Sequence, residues 1–450
     1  MWKASNLSRR KFLQMSSLGL AGLSCLSTRN PLFADEVDPG KKKMKALVIV
    51  ELLGGLDNTL FSCPTDPTLY STLSDRRGGL IIPTDFNLEA YNVPIALHPQ
   101  LATLAPYVPN LRVTMNCANA SHVNPSGSHE AQQLRMALGG VLEDTGTKGW
   151  VSRVYDNVPE LELMGFLDTK DVNFNCKSSK CTAHPPRVFN TLESFNLAGS
   201  NFASAQGGSS NTNYVANVLE RLSHVQPNRE VSPSEEKYRT AFKNLFPVIA
   251  DVQETISTYP TPEYDNYTTG SGSYNRFAQR MRNIASTLLR MKVEESDQPI
   301  IFVVGIGGFD VHGGWEDRCS GLMHTLGGVL RTFCDDLVAM DLFDDVVINT
   351  NTEFGRQIRG NGAGTDHGKG FPMLTLGGKV RGGQHTQHSP YGTILTLDQA
   401  QNHRSWPIEF DSRAIFADIL EFHLGIDPYQ SAYPGVIGTQ FDRENFGLFA

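Results

Sequence analysis

Acidic and imidazole side chains follow several short apolar runs of this 450-residue chain, each time beside glycine. In the stretch GTDHGKG at residues 364–370, an acid and a histidine stand side by side just after the apolar run at 346–350. The acids and histidines in equivalent positions are Asp57, Asp310, His312, Glu353, Asp366, His367, His385 and His388. Carboxylates and neutral imidazoles are ligands for zinc and similar divalent ions, and glycine lets the backbone approach a site closely. The sequence therefore predicts a site for one or two divalent metal ions, with zinc as the leading choice.

The elements that must position these side chains are short apolar runs alternating with helical stripes. Residues 45–53, 111–116, 300–306, 346–350 and 372–377 are typical of buried strands. Apolar residues recur at helical spacing from Leu322 to Met340 and from Tyr238 to Ile256. This alternation predicts an α/β fold with a mostly parallel sheet. Ligands of such folds collect beyond the carboxyl ends of the strands, where the acids and imidazoles stand.

The first residues predict export. The segment SRRKFLQ at 8–14 resembles a twin-arginine signal, an apolar run extends from Phe12 to Leu26, and cleavage after Ala34 is expected. We interpret residues 1–34 as a signal peptide, with a lipoprotein attached through Cys25 as the alternative. The expected partner is the twin-arginine export machinery, and the expected location is the periplasm or cell surface. After residue 35 no apolar run is long enough for a stable membrane span, and the net charge of −8 gives no indication of a nucleic-acid partner.

Residues 45–450 are predicted to form one large domain with a Ser-, Asn- and Gly-rich insertion at about 170–226. Six cysteines remain after the predicted signal peptide, and Cys176 and Cys181 are the closest pair. In an oxidising compartment a disulfide or unpaired thiols are favoured there over a zinc knuckle completed by His184.

The order of these motifs is similar to that of the alkaline phosphatase and sulfatase superfamily. The segments GGFDVH at 307–312, EFGR at 353–356 and GTDHG at 364–368 together resemble its twin-arginine-exported, uncharacterised branch, a domain of unknown function often described as sulfatase-like. The resemblance extends from about Leu47 to Ile426. It implies an alkaline-phosphatase-like three-layer fold, with a mostly parallel central sheet and helices on both faces.

The resemblance also implies roles for the acids and histidines. One metal site would be formed by Asp57, Asp366 and His367, and the other by Asp310, His312 and His388. His385 competes with His388 for the last position, because both lie in the same loop. Asp310 and His312 stand closer together than the equivalent pair in the phosphatases, so a single metal is the alternative.

The nucleophile position falls between the strand at 111–116 and a helix that begins at His129. Ser128 is the candidate nucleophile, with Ser121 and Ser126 as rivals, and a plain helix N-cap is the alternative role for Ser128. Arg356 is predicted to stabilise developing charge, because its planar fork matches phosphate or sulfate. The candidate substrate-binding residues are His98, His129 and Glu353.

These assignments predict an exported metal-dependent hydrolase of phosphate or sulfate esters, carried by a small molecule or a glycan, with attack by a metal-activated serine or water. The segment NPSGS at 124–128 lacks the arginine of a formylglycine box, so phosphoesters are favoured over sulfate esters. The alternative is a non-catalytic, metal-stabilised surface or assembly protein that retains the fold. A mutase or transferase would use the same metals.

Overall fold

The computed structural model describes residues 43–89, 93–119, 127–139, 148–168, 172–175, 178–183, 186–192, 262–267, 273–382, 395–433 and 447–449. Lys43–Ala450 forms one compact unit. The predicted signal peptide at 1–34, the predicted helix from Tyr238 to Ile256 and most of the predicted insertion at 170–226 lie outside the described residues. His385 and His388 lie outside them as well.

A large central sheet organises the fold. The strands are β1 (Ala46–Leu53), β2 (Ser62–Pro64), β3 (Phe86–Asn87), β4 (Ile95–Leu97), β5 (Leu111–Ala118), β6 (Glu162–Phe166), β7 (Arg187–Phe189), β8 (Ile300–Gly307), β9 (Val346–Asn351), β10 (Arg356–Gly360), β11 (Thr365–His367), β12 (Phe371–Leu376) and β13 (Phe410–Asp411). Eight of them form a sheet in the order β13-β5-β12-β9-β1-β8-β6-β7. Only β12 pairs antiparallel with its neighbours in this sheet, so the predicted mostly parallel α/β fold is confirmed.

Helices of very different lengths connect these strands. They are α1 (Asn58–Phe61), α2 (Pro67–Arg77), α3 (His129–Leu138), α4 (Trp150–Asn157), α5 (Ser179–Ala183), α6 (Ser273–Val293), α7 (Trp315–Ala339), α8 (Leu397–Asn402), α9 (Ser412–Asp418) and α10 (Pro428–Ser431). Other helical segments include a 3₁₀ segment at Pro99–Asn110 and a π segment at Ile419–Leu424 that continues α9. Among the described residues, none of the helices is both long and apolar enough to cross a membrane.

The apolar composition of β1 explains its central place. Its sequence ALVIVELL is buried on both faces, as expected for a parallel strand covered by helices on either side. Val48 and Val50 pack into a core cluster shared with α6 and α7, whereas Leu47 and Ile49 pack into a second cluster shared with α4 and α9. The fold therefore has three layers, with helices on both faces of the sheet.

The cysteines divide into two groups. Cys181 is disulfide-bonded. The four thiols of Cys63, Cys117, Cys319 and Cys334 are free and buried. Cys176 and His184, the other residues of the less favoured zinc knuckle, lie outside the described residues.

A small hairpin, β10 and β11, lies beside the main sheet, with Arg356 opposite His367. Two glycines permit the close backbone contacts around it. A Cβ atom at Gly355 would lie 1.8 Å from the carbonyl oxygen of Gly370, and one at Gly54, where φ is +124°, would lie 2.3 Å from the amide nitrogen of Asp310. Only glycine fits both positions, and the loops that follow β1, β8 and β9 can therefore meet.

Candidate metal centre

Three imidazoles and one carboxylate converge at the carboxyl ends of the sheet strands. Asp310 and His312 follow β8, His367 ends β11, and His129 is the first residue of α3. Nε2 of His312 lies 3.0 Å from Nε2 of His367 and 3.2 Å from Oδ1 of Asp310. The same Asp310 oxygen lies 3.4 Å from Nε2 of His367, and Oδ2 of Asp310 lies 3.4 Å from Nε2 of His129. Residues from three separate parts of the chain thus point at one small volume.

The spacing of these atoms fits one divalent ion. Ligands about 2.0–2.1 Å from a tetrahedral zinc ion lie about 3.3 Å from one another, close to the separations observed here. Ligand atoms of His129, Asp310 and His367 all lie within 4.8 Å of one another, and His312 joins them through Asp310 and His367. The side chains of Asp310 and His312 are each 47% exposed. A substrate could therefore reach the centre from solvent.

The other ring nitrogen of each histidine is held by an oxygen. Nδ1 of His129 lies 2.9 Å from a Glu353 oxygen, and Nδ1 of His367 lies 2.7 Å from the carbonyl oxygen of Gly127. Nδ1 of His312 lies 3.4 Å from an Asp366 oxygen. Such acceptors favour the tautomer with hydrogen on Nδ1 and leave the Nε2 lone pair for a metal. Nε2 of His129 is buried without a hydrogen-bond partner among the described residues, so its lone pair is available to a metal.

The charges around the centre favour protonation states that bind metal. Partial burial alone would raise the pKa of Asp310, but the hydrogen bond and positive charge of Arg356 outweigh it and lower that pKa. Burial lowers the pKa of His367, assisted by the positive charge of Arg356. The pKa of Asp366 is also lowered, chiefly by a hydrogen bond from Asn361. Ionised carboxylates and neutral imidazoles are the forms that coordinate metals.

Glu353 stands behind the centre and contacts one of its histidines. Its carboxylate is fully buried and accepts hydrogen bonds from the Gly54 amide at 2.9 Å and from Nε2 of Gln133 at 3.1 Å, in addition to the contact with His129. The sequence predicted Glu353 as a substrate-binding residue. The structure instead places it where it orients His129 and connects α3 to the loop after β1.

Replacing Glu353 by Gln is expected to weaken metal binding about tenfold, because the outer partner of a ligating histidine would lose its charge while keeping its shape. Competition titration against a coloured chelator measures this change. The matched control is Glu294→Gln, which removes an exposed carboxylate paired with Arg290. Equal metal affinity in the two variants would contradict the orienting role of Glu353.

Arg356 is a second residue whose position differs from its predicted role. Its side chain is fully buried. The guanidinium donates to Oδ1 of Asp310 at 2.6 Å and to the backbone oxygens of Gly54, Gly55, Phe309 and Thr365. These bonds engage all three of its nitrogens, which leaves the group poorly placed to contact a substrate anion. Arg356 joins the loops around the centre and orients Asp310.

Asp57 likewise makes other contacts. Its buried carboxylate accepts hydrogen bonds from Thr59, Trp315 and Thr365 and forms an ion pair with Arg77. Among the described residues, the group of acids and histidines within reach of one ion contains His129, Asp310 and His367, and Asp57 is not part of it. The resemblance had implied that Asp57 is a metal ligand.

Ser128 and His98 both cap helices. The Ser128 hydroxyl accepts a hydrogen bond from the Ala131 amide at 3.4 Å at the start of α3. Nδ1 of His98 accepts one from the Gln100 amide at 3.1 Å at the start of the 3₁₀ segment, and burial lowers the pKa of His98 to about 4. Ser128 is therefore a helix N-cap, the alternative role given by the sequence, and it directly precedes His129.

His129 is the residue whose predicted role changed most. The sequence predicted it as a substrate-binding residue, and the structure places it among the potential ligands. Its signal in the sequence was a histidine directly after the N-cap serine, in the first turn of α3. That signal names no partner, because Asp310 and Glu353 are distant in sequence.

Comparison with known proteins places the chain in a family. The model of the family described as "Protein of unknown function (DUF1501)" matches residues 165–442, and the chain belongs to that family. None of the curated proteins matches it.

Several solved structures match this chain at low sequence identity. The lipoteichoic acid synthase LtaP from Listeria monocytogenes has 8% identity and a TM-score of 0.33, and the match covers 82% of this chain and 74% of that one. A protein in the alkaline phosphatase superfamily from Vibrio parahaemolyticus has 12% identity, a TM-score of 0.32, and coverage of 76% and 62%. The C-terminal periplasmic domain of EcEptC from Escherichia coli, in complex with Zn, has 11% identity, a TM-score of 0.35, and coverage of 88% for both chains. These TM-scores, all below 0.5, assign no function to the chain.

Proposed function

We propose that this chain is an exported hydrolase of phosphate or sulfate esters that depends on one divalent metal ion, with zinc as the leading choice. The convergence of His129, His312, His367 and Asp310 on one solvent-accessible point carries the proposal. The Nε2 atoms of His312 and His367 meet at 3.0 Å beside the Asp310 carboxylate, an arrangement that a bound cation would relieve.

The residues of the centre have distinct tasks in this proposal. A divalent ion held by them would lower the pKa of a water molecule and offset negative charge on an ester oxygen. Glu353 and the Gly127 carbonyl fix the orientations of His129 and His367. Arg356 keeps Asp310 ionised and in place. Water is the favoured nucleophile and Ser128 the alternative, because the Ser128 hydroxyl already serves as a helix cap.

One ion is proposed instead of two. One of the two predicted metal sites consisted of Asp57, Asp366 and His367. The carboxylate of Asp57 forms an ion pair with Arg77 and is engaged there. Asp366 lies beside His312 at the rim of the same centre. The described residues thus supply a single set of ligands, in agreement with the close sequence spacing of Asp310 and His312.

The substrate class and location rest on the sequence motifs. The incomplete formylglycine box at 124–128 favours phosphoesters over sulfate esters, and the twin-arginine-like segment at 8–14 favours a periplasmic or cell-surface location. The ester group would be carried by a small molecule or a glycan.

A second candidate function is a non-catalytic surface or assembly protein that keeps the metal for stability. Two observations favour it: Ser128 caps a helix, and the guanidinium of Arg356 is buried among backbone oxygens. Both predicted catalytic groups therefore have structural tasks.

The experiment that tests the proposed function starts from full-length protein purified without added metal or chelator. About one metal equivalent per chain is expected by elemental analysis, together with metal-dependent turnover in a screen of phosphate and sulfate monoesters and diesters. Well-folded protein that binds no divalent ion would contradict the proposal. One bound ion without turnover of any ester would favour the non-catalytic candidate.

A further inference from the structure

The tip of the β10–β11 hairpin contacts the loop that carries two of the potential ligands. The amide of Thr365 donates a hydrogen bond to the carbonyl oxygen of Val311 at 3.0 Å. A Cβ atom at Gly364 would lie 2.2 Å from the same oxygen and 2.8 Å from the carbonyl oxygen of His312. The hairpin that bears His367 is therefore in direct backbone contact with the segment that bears His312.

The side chain of Asn361 lies at this contact and uses both ends of its amide group. Oδ1 accepts hydrogen bonds from the backbone amides of Ala363 at 3.0 Å and Gly364 at 2.8 Å. Nδ2 donates to the carbonyl oxygen of His312 at 3.1 Å and to Oδ1 of Asp366 at 3.2 Å. Because backbone amides only donate, the oxygen of the Asn361 side chain must be the end that faces them. One side chain thus shapes the tip of the hairpin and joins it to the loop after β8.

Both hydrogen bonds from Nδ2 of Asn361 act on the position of the His312 ring. One holds the His312 backbone against the hairpin, and the other holds the Asp366 oxygen that lies 3.4 Å from Nδ1 of His312. At the opposite side of this ring, Nε2 lies 3.0 Å from Nε2 of His367. Groups that hold a ligating histidine from behind fix the orientation in which it meets an ion. Asn361 therefore connects the two chain segments whose imidazoles would share one ion.

We infer that Asn361 is a positioning residue of the metal centre, which sets the separation of His312 and His367 and thereby the coordination geometry of the bound ion. This inference rests on the metal dependence of the proposed function. Asn361 itself is exposed, so it adds little to the core of the fold. An aspartate in its place would keep an oxygen for the amides of Ala363 and Gly364 but would have no N–H to donate. The need for an amide side chain thus belongs to the bonds that reach the centre.

Visible absorption of full-length protein loaded with Co²⁺ tests this role, because the bands of the ion depend on the number and arrangement of its ligands. Asn361→Asp is expected to alter these bands and to weaken zinc binding about tenfold, measured by competition with a coloured chelator. Its added negative charge alone would strengthen the binding of a cation, so weaker binding reports the lost donor. The melting temperature of the metal-free variant should stay close to that of the wild type, since the bonds that shape the hairpin tip are retained.

A second variant, Asn361→Ala, adds no charge and should weaken zinc binding at least as much. The matched control is Asn402→Asp, since Nδ2 of the exposed Asn402 also donates to an aspartate, Asp398 on α8, at 2.6 Å. This control should keep the wild-type bands and zinc affinity. Unchanged bands and affinity in both Asn361 variants, or an equal change in Asn402→Asp, would overturn the positioning role. A wild type that takes up neither Co²⁺ nor zinc would instead contradict the proposed function.

Discussion

Replacing His367 by Ala is expected to abolish metal binding at stoichiometric concentrations and, with it, ester hydrolysis. The substitution removes an imidazole whose Nε2 lies 3.0 Å from that of His312 and 3.4 Å from Asp310, so the remaining ligands can no longer enclose an ion. Affinity should fall by at least about a hundredfold, since outer partners of ligands alone account for tenfold to a hundredfold. Elemental analysis and competition titration measure the loss.

Thermal unfolding gives an independent measure of the same variant. Zinc at about 100 times its dissociation constant stabilises a protein that binds it only when folded by about 2.7 kcal/mol, and His367→Ala should show none of this gain. The control is His324→Ala, which removes an exposed imidazole that contacts Gln100 on another part of the surface. If His367→Ala loses the zinc-dependent stability and the wild type itself hydrolyses no ester, the result would support the non-catalytic candidate. Full metal content in the His367→Ala variant would show that His367 is not a metal ligand.

Asp57→Asn is expected to destabilise the fold by about 3–5 kcal/mol, because it leaves the Arg77 guanidinium buried and without its countercharge. The side chain of Asp57 is fully buried, and hydrogen bonds from Trp315 and Thr365 depend on the same carboxylate. Urea unfolding measures the difference in the free energy of unfolding between the variant and the wild type.

The metal content of the folded Asp57→Asn variant separates a structural role from ligation. About one equivalent should remain, since four other side chains form the proposed site. Asp75→Asn, which changes an exposed carboxylate on α2, is the control and should alter stability by less than about 0.5 kcal/mol. Loss of metal from folded Asp57→Asn protein would restore Asp57 to the ligand set and favour the two-metal alternative.

The sequence by itself determined the class of fold and the edge of the sheet at which the acids and histidines collect. The apolar runs at 45–53 and 300–306 are long enough and uniform enough to specify buried strands, because a strand covered on both faces tolerates few polar residues. Glycine and charge at the strand ends then marked Asp310, His312, Asp366 and His367 as candidate ligands, which the resemblance divided between two metal sites. The structure places these four close together.

The tertiary structure alone decided which polar side chains face an ion and which support the fold. Asp57 and Asp310 each follow an apolar strand and a glycine pair, yet Arg77 and Trp315 close around Asp57 while Asp310 stays half-exposed among three imidazoles. The partners of Arg356, which are Asp310 and backbone oxygens of three separate segments, likewise follow from the tertiary structure alone. Periodicity reports whether a segment is buried, but the partner of a polar side chain is set by residues hundreds of positions away. For that reason, His129 becomes a potential ligand only through the tertiary contacts that bring α3 to Asp310 and Glu353.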